Sequence, residues 1–193
     1  MKKVMLTLTL LTVTIIFALF ACNTEPKKEE VAAISKDSLV SRGSYLVNAM
    51  GCDDCHTPKK MGPQGPEPDM EYRFAGQLAN RLSGPADSNV LKKGWMMFNM
   101  DLTTFYGPWG TSYSANISSH ETGIGNWTDE QFIKALRQGK YKGMDEGRTL
   151  LPPMPWPNFA KLNDTDIKAM LAYLKTSKPI SNVVPGPKPP GQQ

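Results

Sequence analysis

The sequence predicts an all-α domain whose helices are interrupted by one long irregular insertion. Three segments carry apolar residues at helical spacing. Between the first and second of these, some 70 residues (57–126) are rich in Gly, Pro and Asn and show no sustained period. That stretch is too long for an ordinary connection between helices. We therefore expect it to wrap around a bound group and to contain only short helical turns or strands.

Residues 1–21 are predicted to be a secretion signal that is removed from the mature protein. Lys2 and Lys3 precede an apolar run over residues 4–20, which is the layout of an export signal. The run ends in Leu19-Phe20-Ala21-Cys22, which resembles the box where bacterial lipoproteins are cleaved and lipidated. We expect lipid on Cys22 to anchor the protein to a membrane in the bacterial periplasm. The alternative is an uncleaved transmembrane anchor, although 17 helical residues span only about 26 Å.

The exported chain divides into a tether, a domain and a tail. Residues 22–35 are polar and charge-mixed, which predicts a flexible tether. Residues 36–180 hold the predicted domain, and the proline-rich residues 181–193 are predicted to be a disordered tail. Removing the signal takes two lysines and no acid from 22 basic and 18 acidic residues, which leaves a net charge of +2. This near-neutral balance gives no indication of nucleic-acid binding.

Three amphipathic helices are predicted, over residues 37–50, 129–138 and 164–176. Gly51 ends the first, because glycine commonly closes a helix in the left-handed conformation. Thr128 begins the second, and Gln131 three positions later completes a capping box. Asn163 is a favourable N-cap for the third helix.

Residues 52–56 read Cys-Asp-Asp-Cys-His, the pattern that attaches a c-type haem. Cys52 and Cys55 are spaced to form thioethers with the two vinyl groups of one porphyrin, which places His56 beneath the iron as an axial ligand. The motif occurs once, so one covalent haem c is predicted. The cysteines could instead form a redox-active thiol pair or half of a zinc site. The helical segment before them and the lack of further cysteine ligands disfavour both alternatives.

A low-spin haem needs a second axial ligand, and Met154 is the candidate. It lies in Leu151-Pro152-Pro153-Met154-Pro155-Trp156-Pro157, where prolines restrict the backbone around one thioether. The alternative is a rigid apolar loop with no ligand. The second histidine, His120, lies in a polar stretch that indicates an exposed loop.

Two residues near Met154 are predicted to contact the haem. Arg148 is a fixed cation that could bind a propionate, the alternative being an ordinary surface arginine. Trp156 is predicted to pack on the porphyrin. Further upstream, the Met-rich residues 95–100 are predicted to pack at the haem edge where a redox partner docks, with Cu(I) binding as the alternative.

Taken together, these motifs resemble the class I-like cytochromes c, particularly the electron-accepting subunits of bacterial alcohol and sugar dehydrogenases. Besides the haem motif, the resemblance rests on residues 116–117, 121–128, 147–156 and 166–174. It implies a cytochrome c-like helical fold around one covalent haem, with His56 and Met154 as the axial ligands. It also implies redox protein partners in a dehydrogenase or oxidase complex. Those subunits typically carry several haem domains, whereas this chain has one haem motif.

The predicted function is single-electron transfer by a membrane-tethered protein that is not itself an enzyme. With two protein ligands on the iron, no axial position is left for a substrate. Two competing functions are a peroxidase-like haem enzyme and a gas sensor in which a ligand displaces Met154.

Overall fold

A computed structural model describes residues 35–192 of the protein. The predicted signal, Cys22 and residues 23–34 of the predicted tether lie outside the described residues. Within residues 35–192, no helix has the length and apolar character needed to cross a bilayer.

Six α-helices occur in the described part of the chain. They are α1 (Lys36–Ala49), α2 (Cys52–His56), α3 (Ser88–Lys92), α4 (Asp129–Gln138), α5 (Trp156–Phe159) and α6 (Asp164–Leu174). The three predicted helices are confirmed as α1, α4 and α6. At α4 the capping box is complete, because Thr128 Oγ1 accepts from the Gln131 amide and Gln131 Oε1 accepts from the Thr128 amide.

The all-α prediction needs correction, because the insertion folds into two small antiparallel sheets. One pairs β1 (Lys59–Gly62) with β2 (Gly65–Pro68), and the other holds β3 (Met97–Phe98), β4 (Thr104–Gly107) and β5 (Gly110–Tyr113) in that order. Each hairpin turns over two residues between paired glycines, and Gly65 and Gly110 have positive φ (120° and 99°). Strands of two to four residues are too short to show the alternation that would predict them.

The main core lies between α1, α4 and α6. Its buried side chains include Leu46, Val47, Phe132, Leu136, Ile167, Met170, Leu171 and Leu174. Helices α1 and α6 are in close contact at Gly43, where an added Cβ would collide with the Ala169 carbonyl and lie 2.8 Å from Tyr173 Cβ. The absence of a side chain at Gly43 therefore sets the distance between the two helices.

The C-terminal segment, predicted to be a disordered tail, lies against the domain. Directly before it, Ile180, the last residue of the predicted domain, packs with Ala75 and Leu78 of the insertion. The Asn182 amide group donates to the carbonyls of Ala75 and Gln77, at 2.8 and 2.9 Å. Prolines prevent this segment from joining a helix, but Asn182 supplies the hydrogen bonds that hold it. We call residues 183–187 the C-terminal strap.

Candidate haem site

A cavity of about 450 Å³ brings together distant parts of the chain. Cys52, Cys55 and His56 of α2 line it, and so do Arg148 and Met154. Much of the remaining wall is apolar and includes Met50, Ile117, Ile124, Trp127, Phe132 and Leu136. This volume is in the usual range for cofactor sites, about 300–1,000 Å³. The predicted haem motif, the predicted distal ligand and one predicted propionate partner thus share one cavity.

The imidazole of His56 is oriented for metal binding. Its Nδ1 lies 2.7 Å from the carbonyl oxygen of Ala115, and a carbonyl can only accept. Nδ1 therefore carries the hydrogen, which leaves the Nε2 lone pair free for iron. Burial lowers the pKa of His56, so the ring is neutral at pH 7. The Ala115 carbonyl thus fixes the tautomer that ligation needs.

The two cysteines are half-buried, and their surroundings favour the protonated thiol. They lie three positions apart in α2, which begins after Gly51 in the left-handed conformation (φ 67°). Burial, assisted by the Asp53 charge, raises the pKa of Cys52 to about 12, and burial also raises the pKa of Cys55. Redox-active thiol pairs show the opposite shift, toward a lower pKa.

A structural zinc site also lacks support in the described part of the chain. Among residues 35–192 there is no group of three or more His, Cys, Asp or Glu side chains placed to hold a metal ion. Structural zinc normally needs four such ligands. Covalent haem attachment stays the prediction for Cys52 and Cys55.

Asp53, between the two cysteines, clamps the motif to the rest of the domain. Its carboxylate accepts from Arg73 at 2.6 and 2.9 Å and from Thr57 Oγ1 at 2.6 Å. Arg73 also donates to Asn48 Oδ1 at the end of α1 and to the Tyr173 hydroxyl of α6, at 2.9 and 3.2 Å. Burial acts to raise the pKa of Asp53, but the hydrogen bonds from Arg73 and Thr57 outweigh it and lower the pKa.

The loop that carries Met154 depends on contacts with other segments. Met154 is half-buried at the cavity, and the three prolines around it offer no amide hydrogen. Ser112 Oγ of β5 donates to the Pro152 carbonyl at 2.6 Å and accepts from Trp109 Nε1 at 3.1 Å. The Leu150 amide donates to the Gly139 carbonyl at 2.6 Å. Two residues of the insertion, Trp109 and Ser112, thus help to position the predicted distal ligand.

Arg148 is placed to bind a carboxylate at the cavity. Its guanidinium lies 4.2 Å from the centre of the Tyr141 ring, and Lys142 Nζ lies 5.7 Å from that centre. Both cations line the cavity, and neither forms an ion pair within residues 35–192. Burial lowers the pKa of Arg148, so an anionic partner would offset the cost of its desolvation. A haem propionate is such a partner, and sequence reasoning missed Lys142.

Trp156 and His120 are not brought to the cavity. The Trp156 indole lies against Gly139, where an added Cβ would collide with it, and it is not part of the cavity lining. His120 Nδ1 accepts from the Thr122 amide at 3.1 Å, and His120 itself is not part of the cavity lining. The predicted haem contact of Trp156 therefore has no support in this geometry.

The Met-rich segment lies on the surface beside the cavity. Trp95, Met96, Phe98 and Met100 are each more than 60% exposed. Phe98 pairs with Phe105 across β3 and β4, and Phe105 lines the cavity. An exposed aromatic residue therefore adjoins a residue of the cavity wall. The predicted Cu(I) alternative and the predicted docking role of this segment both stay predictions.

Comparison with known proteins connects this site to a family. A profile of the family described as Cytochrome c matches residues 40–178. The cytochrome c subunit of alcohol dehydrogenase (quinone) from Gluconobacter oxydans (strain 621H) is 35% identical over 138 residues, covering 71% of this chain and 21% of that protein. The gluconate 2-dehydrogenase cytochrome c subunit of Pantoea cypripedii is 36% identical over 140 residues, covering 72% of this chain and 23% of that protein.

The fructose dehydrogenase cytochrome subunit of Gluconobacter japonicus is 31% identical over 185 residues, covering 95% of this chain and 30% of that protein. The chain therefore spans less than a third of the length of each of these relatives.

Proposed function

This chain belongs to the cytochrome c family, and we propose that it carries single electrons between redox proteins through one covalent haem c with His56 and Met154 as axial ligands. One observation carries the proposal. A single cavity collects the cysteine pair, an imidazole with a free Nε2 and the thioether of Met154. The bound haem supplies the one-electron couple.

The residues around the cavity would determine the reduction potential of the haem and its access to substrate and water. His56 and Met154 would hold the haem iron between them, so the protein would exchange electrons without binding a substrate at iron. A Met ligand opposite His raises the reduction potential relative to two His ligands. Arg148 and Lys142 would neutralise the propionates, and the apolar wall keeps water from the porphyrin.

The relatives suggest the kind of partner. Each is named as the cytochrome subunit of a dehydrogenase, and each is more than three times as long as the stretch of this chain it matches. We propose that a dehydrogenase donates electrons to this chain, which serves as a separate single-haem counterpart of one part of those subunits. Lipid on Cys22 would hold it at the periplasmic face of a membrane.

The axial ligation is tested by replacing Met154 with Ala. In the intact ferric protein we expect the weak charge-transfer band in the red that reports a methionine–iron bond. Met154→Ala should abolish the band and allow the ferrous protein to bind CO. The control is Met50→Leu, which alters another methionine of the cavity wall and should retain the band.

Two results would contradict the proposal. Survival of the band in Met154→Ala would show that another residue is the ligand. High-spin ferric iron or CO binding in the intact protein would instead indicate a peroxidase-like enzyme or a gas sensor.

A further inference from the structure

The C-terminal strap forms part of the cavity wall. Val183, Val184, Pro185 and Pro187 all line the cavity, although they follow the last helix by nine residues or more. The strap reads Val-Val-Pro-Gly-Pro and has no charged side chain. Two of its five residues are prolines, which have no amide hydrogen to satisfy. Such a segment can lie against an apolar cofactor at little cost in unpaired backbone groups.

The first end of the strap is fixed beside the support of His56. Asn182 is buried, and its carbonyl accepts from Asn116 Nδ2 at 3.2 Å. Its side-chain oxygen accepts from the Ala79 amide at 3.1 Å. Asn116 directly follows Ala115, whose carbonyl holds His56 Nδ1. This end of the strap therefore starts next to the contact that orients the proximal imidazole.

The second end is fixed beside the support of Met154. Lys188 and Thr111 exchange two backbone hydrogen bonds, at 2.8 and 3.0 Å. Gly110 permits this pairing, because a Cβ there would collide with the Lys188 carbonyl. Thr111 directly precedes Ser112, whose hydroxyl holds the Met154 loop through Pro152. The strap thus ends next to the contact that positions the distal thioether.

The strap therefore connects a point next to the His56 contact with a point next to the contact that holds the Met154 loop. The six steps from Asn182 to Lys188 reach at most about 20 Å when extended. We propose that the strap is the outer wall of the haem site: it covers one edge of the haem, excludes water there and limits contact with aqueous redox reagents. This proposal rests on the proposed function. Because a dry environment disfavours the more highly charged ferric state, the strap also raises the reduction potential.

The proposal is tested by two truncations of the haem-loaded protein. One ends at Asn182 and removes the strap, and the matched control ends at Pro189 and keeps the strap with Lys188. We expect the first to be oxidised by ferricyanide several-fold faster than the control and to have a lower reduction potential. Both should keep the covalent haem and the methionine–iron band, because Ala115 and Ser112, which support His56 and the Met154 loop, are present in both proteins. Equal rates and potentials in the two proteins would overturn the proposal.

A full-length variant guards against misfolding of the truncated chain. Val184→Ser combined with Pro185→Ser keeps both ends of the strap and makes its middle polar. Like the truncation, it should speed oxidation by ferricyanide and lower the reduction potential. An unchanged oxidation rate would contradict the proposal that the strap forms the outer wall. Hydrogen exchange gives a readout independent of electron transfer, since the amides of Thr111 and Lys188 should be protected in the intact protein. Exchange at the rate of an open chain would also overturn the proposal.

The two proposals fail in different ways. If the intact protein lacks the methionine–iron band, the proposed ligation is wrong whatever the strap does. If the intact protein shows the band but removing the strap changes neither rate nor potential, only the strap proposal is wrong.

Discussion

At the scale of single residues, the carboxylate of Asp53 joins the haem motif to the two long helices through Arg73. Asp53→Asn removes a charged acceptor, so we expect the free energy of unfolding at pH 7 to fall by about 1–3 kcal/mol. The lowered pKa of Asp53 sets the sign of the pH dependence. Its stabilisation is present above the unfolded-state pKa, about 3.9, and is lost as the pH falls through the lower folded-state pKa.

Urea unfolding of both proteins at neutral and acidic pH measures this difference. The two curves should converge at acidic pH. Asp54→Asn is the matched control, since Asp54 is exposed and forms no ion pair within the described residues. An equal fall in the free energy of unfolding in the two variants would contradict a stabilising role for the Asp53–Arg73 ion pair.

Thr111 offers a prediction of the opposite sign. Its hydroxyl is the one fully buried side-chain polar atom in residues 35–192 without a hydrogen-bond partner. Thr111→Val keeps the shape and the backbone pairing with Lys188, so we expect it to stabilise the protein by about 1 kcal/mol or more. Thr104→Val is the control, because Thr104 Oγ1 donates to Gln77 Oε1 at 2.5 Å and its loss should destabilise. Thermal unfolding that moves the same way in both variants would contradict this prediction.

The residues that could be predicted are those whose role shows in local spacing. Cys52, Cys55 and His56 form one contiguous motif. Arg73 and Ser112 had no such signal, because their partners lie 20 and 40 residues away along the chain. Trp156 was predicted to contact the haem because it is close to Met154 in the sequence, but its indole does not line the cavity.

At the scale of elements, helices α1, α4 and α6 were predictable because caps and apolar spacing agree. The two sheets were not, because their strands are short and rich in Gly and Pro. Their pairing also depends on turns that the pattern of apolar residues does not report. Part of the cavity wall comes from the sheet of β3, β4 and β5, through Phe105, Ser112 and Tyr113.

The crossing of α1 and α6 gives a prediction at this scale. Alanine is a better helix former than glycine by about 1 kcal/mol. At Gly43, however, the new Cβ would meet the backbone of Ala169, which cannot rotate aside. We therefore expect Gly43→Ala to lower the free energy of unfolding by about 1–3 kcal/mol.

Urea unfolding provides the measurement for this substitution. Gly84→Ala is the control, since a Cβ there has no neighbour within 4 Å, and it should change stability by about 0.5 kcal/mol at most. A stabilised Gly43→Ala protein would show that the helices separate readily.

At the scale of the whole molecule, the proposed lipid anchor would determine where the proposed single haem operates. Replacing Cys22 with Ser removes the sulfur that is predicted to carry the lipid. If the anchor is a lipoprotein anchor, Cys22→Ser should move the protein from the membrane fraction to the soluble fraction or leave its signal uncleaved. Fractionation combined with mass measurement of the mature chain provides the test. A Cys22→Ser protein that stays in the membrane and differs in mass from the wild type only by the exchange of sulfur for oxygen would favour a transmembrane anchor.

Residues 111–116 contain four of the contacts on which the site depends. Thr111 and Asn116 hold the two ends of the strap. Between them, Ser112 supports the Met154 loop and Ala115 supports His56. The length of this one stretch of chain therefore bears on the separation between His56 and the Met154 loop, the two proposed ligand positions.

That dependence predicts which parts of the gene can change length during evolution. One inserted residue within 111–116 would displace the rest of that stretch by about 3.3 Å and turn its side chains to the opposite face. Residues 82–87 have no regular structure, and Gly84 faces open space. Among orthologues, insertions and deletions should therefore collect in residues 82–87, while 111–116 keeps a constant length.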